Sequence, residues 1–373
     1  MIALISQLHW NNLGTALQAY ALHKKLLDLG YDNEYIDYTI PRSESRIIAS
    51  AIKQSFLSLL RALKLADLNT NHWETRMFKG TAKRTEDFRL REIRRKIFIP
   101  STLNSANNVY DKFIVGSDQM WFPDAILRGG DPMRLLDFVT DYRKKYSYAP
   151  SFGTTHLSIE FLEAFVPRVN EFNLISCRER SNSELLAKKL KREVEFVLDP
   201  TMLLTAEQWR EVSRRDNNHP IGKYILCYIL GTKPCVSAYA EMLGSKTGLP
   251  VHYILTHPYY ASKKNCIMDV GPQEFISLID NCECLVTDSF HGIMLSVKLQ
   301  KPFYVFTKLS DNEVNNDNDR ISEVLNEFCL TDRFCKDDIK PTKLERIDYG
   351  VVSPKVDDLI RISENHLKKI VHN

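Results

Sequence analysis

A chain of 373 residues is longer than a typical single domain and suits two α/β domains of ordinary size. Its 44% hydrophobic and 26% charged residues are those of a soluble globular protein with a full core, and no stretch approaches the length of a membrane span. The formal net charge is only +3, yet residues 41–100 hold fourteen Arg and Lys against six Asp and Glu. Such a block is either a solvated helical face or a surface that meets phosphates or anionic lipid. No nucleic-acid motif accompanies it, so nucleic acid is not expected as a partner. The eight cysteines are scattered, with no CxxC pair and no His cluster at zinc spacing, which points to free thiols. The opening MIALISQLHW is too short an apolar run for a signal peptide, and a cytoplasmic protein is expected.

Residues 2–6 form a short apolar strand, and Asn11-Asn12-Leu13-Gly14 makes a polar turn. Leu17, Tyr20, Ala21 and Leu27 mark a helix over 15–29, closed by Gly30, and Tyr35-Ile36-Asp37-Tyr38 is the next strand. This is a βαβ unit whose turn lies where α/β proteins bind ligands. Asn11, Asn12 and Gln18 either hydrogen-bond a ligand's hydroxyls there or form and cap the turn. In the basic block, Ile47, Ile52, Phe56, Leu59, Leu60 and Leu63 recur at helical spacing, as a core-facing helix or one lying on a membrane. A second helical run, denser in charge, covers 84–96.

Residues 111–115 read as a buried strand ending in Gly116-Ser117-Asp118-Gln119-Met120-Trp121. Further strands are read at 146–149, at 173–177 before Arg178-Glu179-Arg180 and a helix over 181–190, and at 196–198 before Asp199-Pro200. A helical piece at 208–213 and the polar 214–220 suit an interdomain linker. A second set follows: strand 224–230, helix 235–247, strand 251–255 and helix 273–281. The apolar strand 284–287 then breaks at Asp288-Ser289-Phe290-His291-Gly292, a helix runs to about 299, and 303–306 is another strand. Helix N-terminal amides favour anions, and an imidazole among them can move a proton near neutral pH; a capping turn with an incidental His is the alternative. An acidic, Asn-rich loop at 310–319 ends at Arg320 beside a helix over 321–327, and 354–371 is a last amphipathic helix. Two α/β halves facing a cleft are the economical architecture.

Ser289 and His291 in one half, Asp118, Gln119 and Arg178 in the other, and Lys308 and Arg320 all fall at predicted strand ends or loops. Arg, Lys and His converging without a metal cluster suit a phosphate or carboxylate held by forked donors. Neither a P-loop nor GxGxxG occurs, which argues against an NTPase or a dinucleotide oxidoreductase, and GxSxG is absent too.

Five motifs stand in order: Asn11-Asn12-Leu13-Gly14-Thr15-Ala16-Leu17-Gln18-Ala19-Tyr20, Val115-Gly116-Ser117-Asp118-Gln119-Met120-Trp121, Ser176-Cys177-Arg178-Glu179-Arg180, Val197-Leu198-Asp199-Pro200-Thr201 and Thr287-Asp288-Ser289-Phe290-His291-Gly292. Together they resemble the polysaccharide pyruvyl transferase family over nearly the whole chain. The resemblance implies an α/β fold of two Rossmann-like domains facing a cleft, similar to GT-B glycosyltransferases. Residues 1–200 would form the acceptor-side domain with 41–100 as a basic amphipathic insert, 201–222 the linker, 223–350 the donor-side domain and 351–373 a terminal helix. It further implies transfer from phosphoenolpyruvate (PEP) onto a hydroxyl pair of a hexose, forming a cyclic pyruvate ketal in bacterial capsular or exopolysaccharide biosynthesis. PEP is a co-substrate, and neither a cofactor nor a metal is expected. By position, His291 matches the family's active-site histidine and Arg178 its anion-binding arginine. Ser289, Gly292, Lys308 and Arg320 join them on the donor side, and Asn11, Asn12, Gln18, Asp118 and Gln119 form the acceptor side. His291 would act as general acid toward PEP or as base toward the attacking hydroxyl. The family's acceptor hexose is expected to be galactose-like, and the basic block adds the expectation that it is lipid-diphosphate-linked and met at the inner face of an anionic membrane. A nucleotide-sugar glycosyltransferase of the same shape and a non-catalytic carbohydrate-binding protein are the alternatives.

Overall fold

The computed structural model describes residues 1–8, 12–38, 77–308, 318–336 and 343–373. Two five-stranded parallel sheets organise them. In the first, β1 (Ile2–Ile5), β2 (Asn33–Tyr38), β3 (Arg95–Phe98), β4 (Lys112–Val115) and β5 (Lys145–Ser147) lie in the order β3-β2-β1-β4-β5. The short pair β6 (Ser176–Cys177) and β7 (Glu195–Phe196) follows, beside a Tyr146–Leu174 bridge to β5. In the second, β8 (Ile225–Tyr228), β9 (Val251–Ile254), β10 (Cys266–Ile267), β11 (Cys284–Thr287) and β12 (Phe303–Val305) repeat the same order, β10-β9-β8-β11-β12.

Parallel neighbours require crossovers. Before the second sheet the described helices are α1 (Leu13–Asp28), α2 (Lys79–Glu92), α3 (Pro123–Arg128), α4 (Ile159–Val169), α5 (Arg180–Leu190) and α6 (Ala206–Val212). Within or after it come α7 (Pro234–Thr247), α8 (Pro272–Asn281), α9 (Phe290–Lys298), α10 (Asn318–Glu327) and α11 (Tyr349–His372). Each half is therefore Rossmann-like, and their pairing is the expected GT-B-like architecture.

Local chemistry explains the elements that matter for the cleft. Strands β8 and β11 are buried at every residue, as central parallel strands covered on both faces must be. Helix α1 starts at Asn12, whose side-chain oxygen accepts from the Gly14 and Thr15 amides at 2.9 and 3.2 Å. Helix α8 starts with Pro272, and the Glu274 carboxylate reaches back to the Gly271 amide at 3.1 Å.

One hydrophobic core runs through both halves. Leu17 and Leu22 of α1, Trp209 of α6, Phe275 of α8, Ile293 of α9 and Leu367 and Ile370 of α11 belong to a single buried cluster. Helix α11 follows the second sheet in sequence but packs back on the first half. Ser363 Oγ accepts from the Leu198 amide at 2.8 Å, His366 Nε2 meets the Ser147 carbonyl at 3.3 Å, and Lys25 pairs with Glu364.

The two longest departures from the sequence reading lie in the first half. The charged run at 84–96 divides: α2 ends at Glu92, and Arg95–Phe98 becomes β3, which among the described residues pairs only with β2. Edge strands carry charge as protection against further pairing, so this one reads as a helix surface. Helix α4 has no counterpart in that reading because Pro167 interrupts it, yet Phe161, Phe165 and Val169 bury one face. Asn11, the stretch from Ile47 to Leu63 and most of the loop at 310–319 lie outside the described residues. Among the described residues no helix is long and apolar enough to cross a membrane.

Candidate active site

A cavity of about 120 Å³ lies between the halves. The first half contributes Asn12, Thr15, Asp118 and Gln119; the second contributes Asp288, Ser289, Phe290, His291, Lys308 and Arg320, with Leu230 and Ile321 as further apolar wall. Seven expected site residues thus line one space: Asn12, Asp118, Gln119, Ser289, His291, Lys308 and Arg320.

Three of the other four stand elsewhere. Asn11 is outside the described residues. Gln18 is fully buried and does not line the cavity; its amide nitrogen donates to Ser6 Oγ at 2.8 Å and the Thr15 carbonyl at 3.1 Å. Gly292 lies inside α9, where a Cβ would come within 2.9 Å of Thr287 Oγ1. Arg178 is not on the cavity wall; its guanidinium stacks on Phe290, 4.2 Å from the ring centroid.

His291 sits in the first turn of α9, which Ser289 opens by accepting from the Gly292 amide at 3.4 Å. The imidazole is nearly buried, and its Nε2 lies 3.6 Å from Asp199 Oδ2 of the other half. From α1, Gly14 closes on the same ring: a Cβ there would fall 2.1 Å from His291 Nδ1. Only a glycine lets the two helix N-termini approach this closely.

Asp199 is the hub beneath. Its Oδ2 accepts from Ser117 Oγ at 2.7 Å and Arg178 Nη1 at 2.8 Å, and its Oδ1 from the Thr201 amide at 3.0 Å and hydroxyl at 2.7 Å. Burial opposes its charge, but His291, Arg178 and the Thr201 amide outweigh burial and hold the carboxyl far below the usual carboxylate range. Arg178 is itself 6% exposed, and its Nε and Nη2 have no hydrogen-bond partner among the described residues. Neighbouring Glu179 is the opposite case. Burial pushes its carboxyl up, against the pull of Arg178, the Ser151 hydroxyl and Arg320.

The rim is also built from carboxylates. Asp118, in the turn after β4, lies in the left-handed region, φ 67°, and accepts from Thr15 Oγ1 at 2.5 Å. Such backbone strain concentrates at functional strand ends. Asp288 accepts from the Leu230 and Gly231 amides, both at 2.7 Å, tying the end of β8 to that of β11. Burial pushes its carboxyl up, opposed by those two amides and by Lys308. Helix α10, which carries Arg320, is anchored across the cleft: Arg180 grips Glu327 through Nε and Nη2 at 2.6 and 2.7 Å.

Sequence reasoning passes over Gly14, Thr15, Asp199 and Asp288 as site residues. Asp199 reads as a turn before Pro200; its signals are a carboxylate closing an apolar run and its place in the Val197–Thr201 motif. Chemically, an ionised buried carboxylate 3.6 Å from a histidine, with Lys308 and Arg320 on the wall and a helix N-terminus alongside, can bind a small polyanion and move a proton.

Fold and site together define a two-domain, Rossmann-like protein with a polar cleft built around a histidine. The family model described as "Polysaccharide pyruvyl transferase" matches residues 12–308, and the chain belongs to that family of transferases. Comparison with curated proteins finds no match. Among solved structures, the UDP-GlcNAc 2-epimerase of Methanocaldococcus jannaschii in complex with UDP-GlcNAc and UDP is similar, with 12% identity, TM-score 0.45, and 97% of this chain and 98% of that one covered. A putative UDP-N-acetylglucosamine 2-epimerase from Listeria monocytogenes gives 11%, 0.48, 87% and 86%, and the UDP-GlcNAc 2-epimerase of Neisseria meningitidis bound to UDP-GlcNAc gives 12%, 0.44, 99% and 99%.

Proposed function

We propose that the protein transfers the pyruvyl carbons of PEP to a hydroxyl pair of a hexose, galactose-like in its free 4- and 6-hydroxyls, to form a cyclic ketal. The observation that carries this reading is the buried Arg178–Asp199–His291 chain opening on a cavity with Lys308 and Arg320. With Nε2 turned to Asp199, Nδ1 is the nitrogen left for the substrate. Protonated His291 gives its proton to the methylene carbon of PEP, leaving an oxocarbenium-like centre at C2. One sugar hydroxyl attacks C2, and the neutral imidazole takes its proton. The second hydroxyl then displaces phosphate from C2, and its proton leaves with the phosphate. Asp199 stabilises the imidazolium, while Lys308 and Arg320 offset the charge of carboxylate and phosphate. Asp118 and Gln119 hold the acceptor's hydroxyls. No cofactor enters this scheme.

Phosphate release from PEP with hexoside acceptors, and mass analysis of the acceptor for a pyruvate ketal, tests the reading. Thermal shift separates it from nucleotide-sugar transfer, because only a true ligand stabilises the native state by mass action. Stabilisation by nucleotide sugars and none by PEP would overturn it. A lipid-diphosphate carrier on the acceptor would account for the basic block at 41–100 and for work at the cytoplasmic membrane face; binding to anionic vesicles that weakens with salt is the expected result, and no binding at low salt contradicts it.

A further inference from the structure

The first half has a second cavity, of about 180 Å³, that the scheme above does not use. It lies over the carboxyl ends of β1 and β2, beside the turn that follows β4. In open parallel sheets ligands bind outside the carboxyl ends of the strands. The 118–120 turn lines both spaces: Asp118 and Gln119 face the first, Met120 the second. Gln7 Nε2 and Arg134 Nη1 both donate to the Gln119 carbonyl, at 3.1 and 3.2 Å, so the walls of the two cavities are joined through one residue.

The lining has the chemistry of a sugar site. Asp37 and Asp131 supply carboxylates, and Arg134 pairs with Asp131 at 3.1 Å through Nε. The bonds of Gln7 and Arg134 to the turn use Gln7 Nε2 and Arg134 Nη1, leaving the Gln7 amide oxygen and Arg134 Nη2 outside them. Carboxylates accept from hydroxyls and a guanidinium fork donates to two vicinal oxygens. Ile36, Met120 and Met133 give the apolar surface that the C–H face of a pyranose covers. Positive and negative side chains are mixed, which suits a neutral polyhydroxylated ligand better than a second anion.

From the shared 118–120 turn and this lining, we infer that the cavity is a second hexose subsite, holding the sugar next to the one that receives the ketal. The acceptor is then an oligosaccharide, gripped over two residues. This rests on the pyruvyl-transfer reading.

The test pairs disaccharides whose non-reducing hexose has free 4- and 6-hydroxyls with the methyl glycoside of that same hexose. In PEP-dependent phosphate release, the wild type should prefer the disaccharide by about tenfold in kcat/KM, mainly through KM. In Asp131→Asn that ratio should fall toward one. No preference for any disaccharide, or a ratio unchanged in Asp131→Asn, overturns the subsite. If PEP yields no phosphate with any acceptor, the transfer reading fails and the subsite is judged by binding alone. Trp121 Nε1 donates to the Arg134 carbonyl at 3.1 Å, so tryptophan fluorescence reports on that wall. A saturable disaccharide titration, weakened by Asp131→Asn, supports the subsite; no binding overturns it.

Discussion

Gly14 and His291 belong to different halves, yet a Cβ on Gly14 would stand 2.1 Å from His291 Nδ1. The glycine sets how far the N-terminus of α1 can approach that of α9, and so where the imidazole stands over Asp199. Gly14→Ala must push His291 away. A displacement of about 1 Å in a reacting group costs on the order of a hundredfold in turnover. We expect that loss in kcat together with a stability loss of about 1–3 kcal/mol from overpacking, too small to unfold the protein. Turnover within a few-fold of wild type would show that His291 is not held by this contact.

Asp199→Asn keeps the shape of the hub and removes its charge. Buried Arg178 then loses its ionic partner, a change that costs about 3–5 kcal/mol in other proteins. Urea unfolding should show a loss in that range, together with a fall in turnover of about two orders of magnitude or more. The sign with pH follows from the depressed carboxyl. Its contribution is complete above the unfolded value of about 3.9 and is lost as pH falls toward the folded one. The gap between wild type and variant should therefore persist at mild acidity and close only in strong acid.

The docking of α11 carries its own pH dependence. Burial lowers His366 from 6.5 to about 4, against the hydrogen bond to the Ser147 carbonyl. The unfolded chain binds a proton that the native state refuses between those values, so stability falls as pH drops from 6.5 to 4 and levels off below. The loss is on the order of 3 kcal/mol for a fully buried group. In His366→Leu the decline over that window should be shallower by a similar amount, as read from denaturation midpoints across the pH range. An unchanged slope would remove His366 as its source.

The strand-end motifs were legible because local chemistry writes them. Cys284–Thr287 is a continuous apolar strand, and Ser289 and Gly292 are the residues a close-packed helix start requires. The part Asp199 plays was not legible. It stands in one of the five motifs, yet it lies far from His291 along the chain and reads locally as a turn aspartate before proline. Its role arises from burial and from Arg178, Ser117 and Thr201 meeting it in space. Gln18 shows the converse: polar and near a ligand-side turn in sequence, it is committed to Ser6 and the Thr15 carbonyl in the fold. Edge strand β3 and helix α4 were obscured by charge and by Pro167, two features whose meaning depends on the neighbours they meet.

The most direct test of the account replaces His291 with alanine and follows phosphate release from PEP with a hexoside acceptor, alongside mass analysis of that acceptor. The account predicts a pyruvate ketal formed by the wild type, and turnover lower by at least about two orders of magnitude in His291→Ala while PEP still raises its melting temperature. Near-normal ketal formation by that variant would contradict the role given to His291, and wild-type protein that forms no ketal while PEP leaves its melting temperature unmoved would contradict the transfer itself.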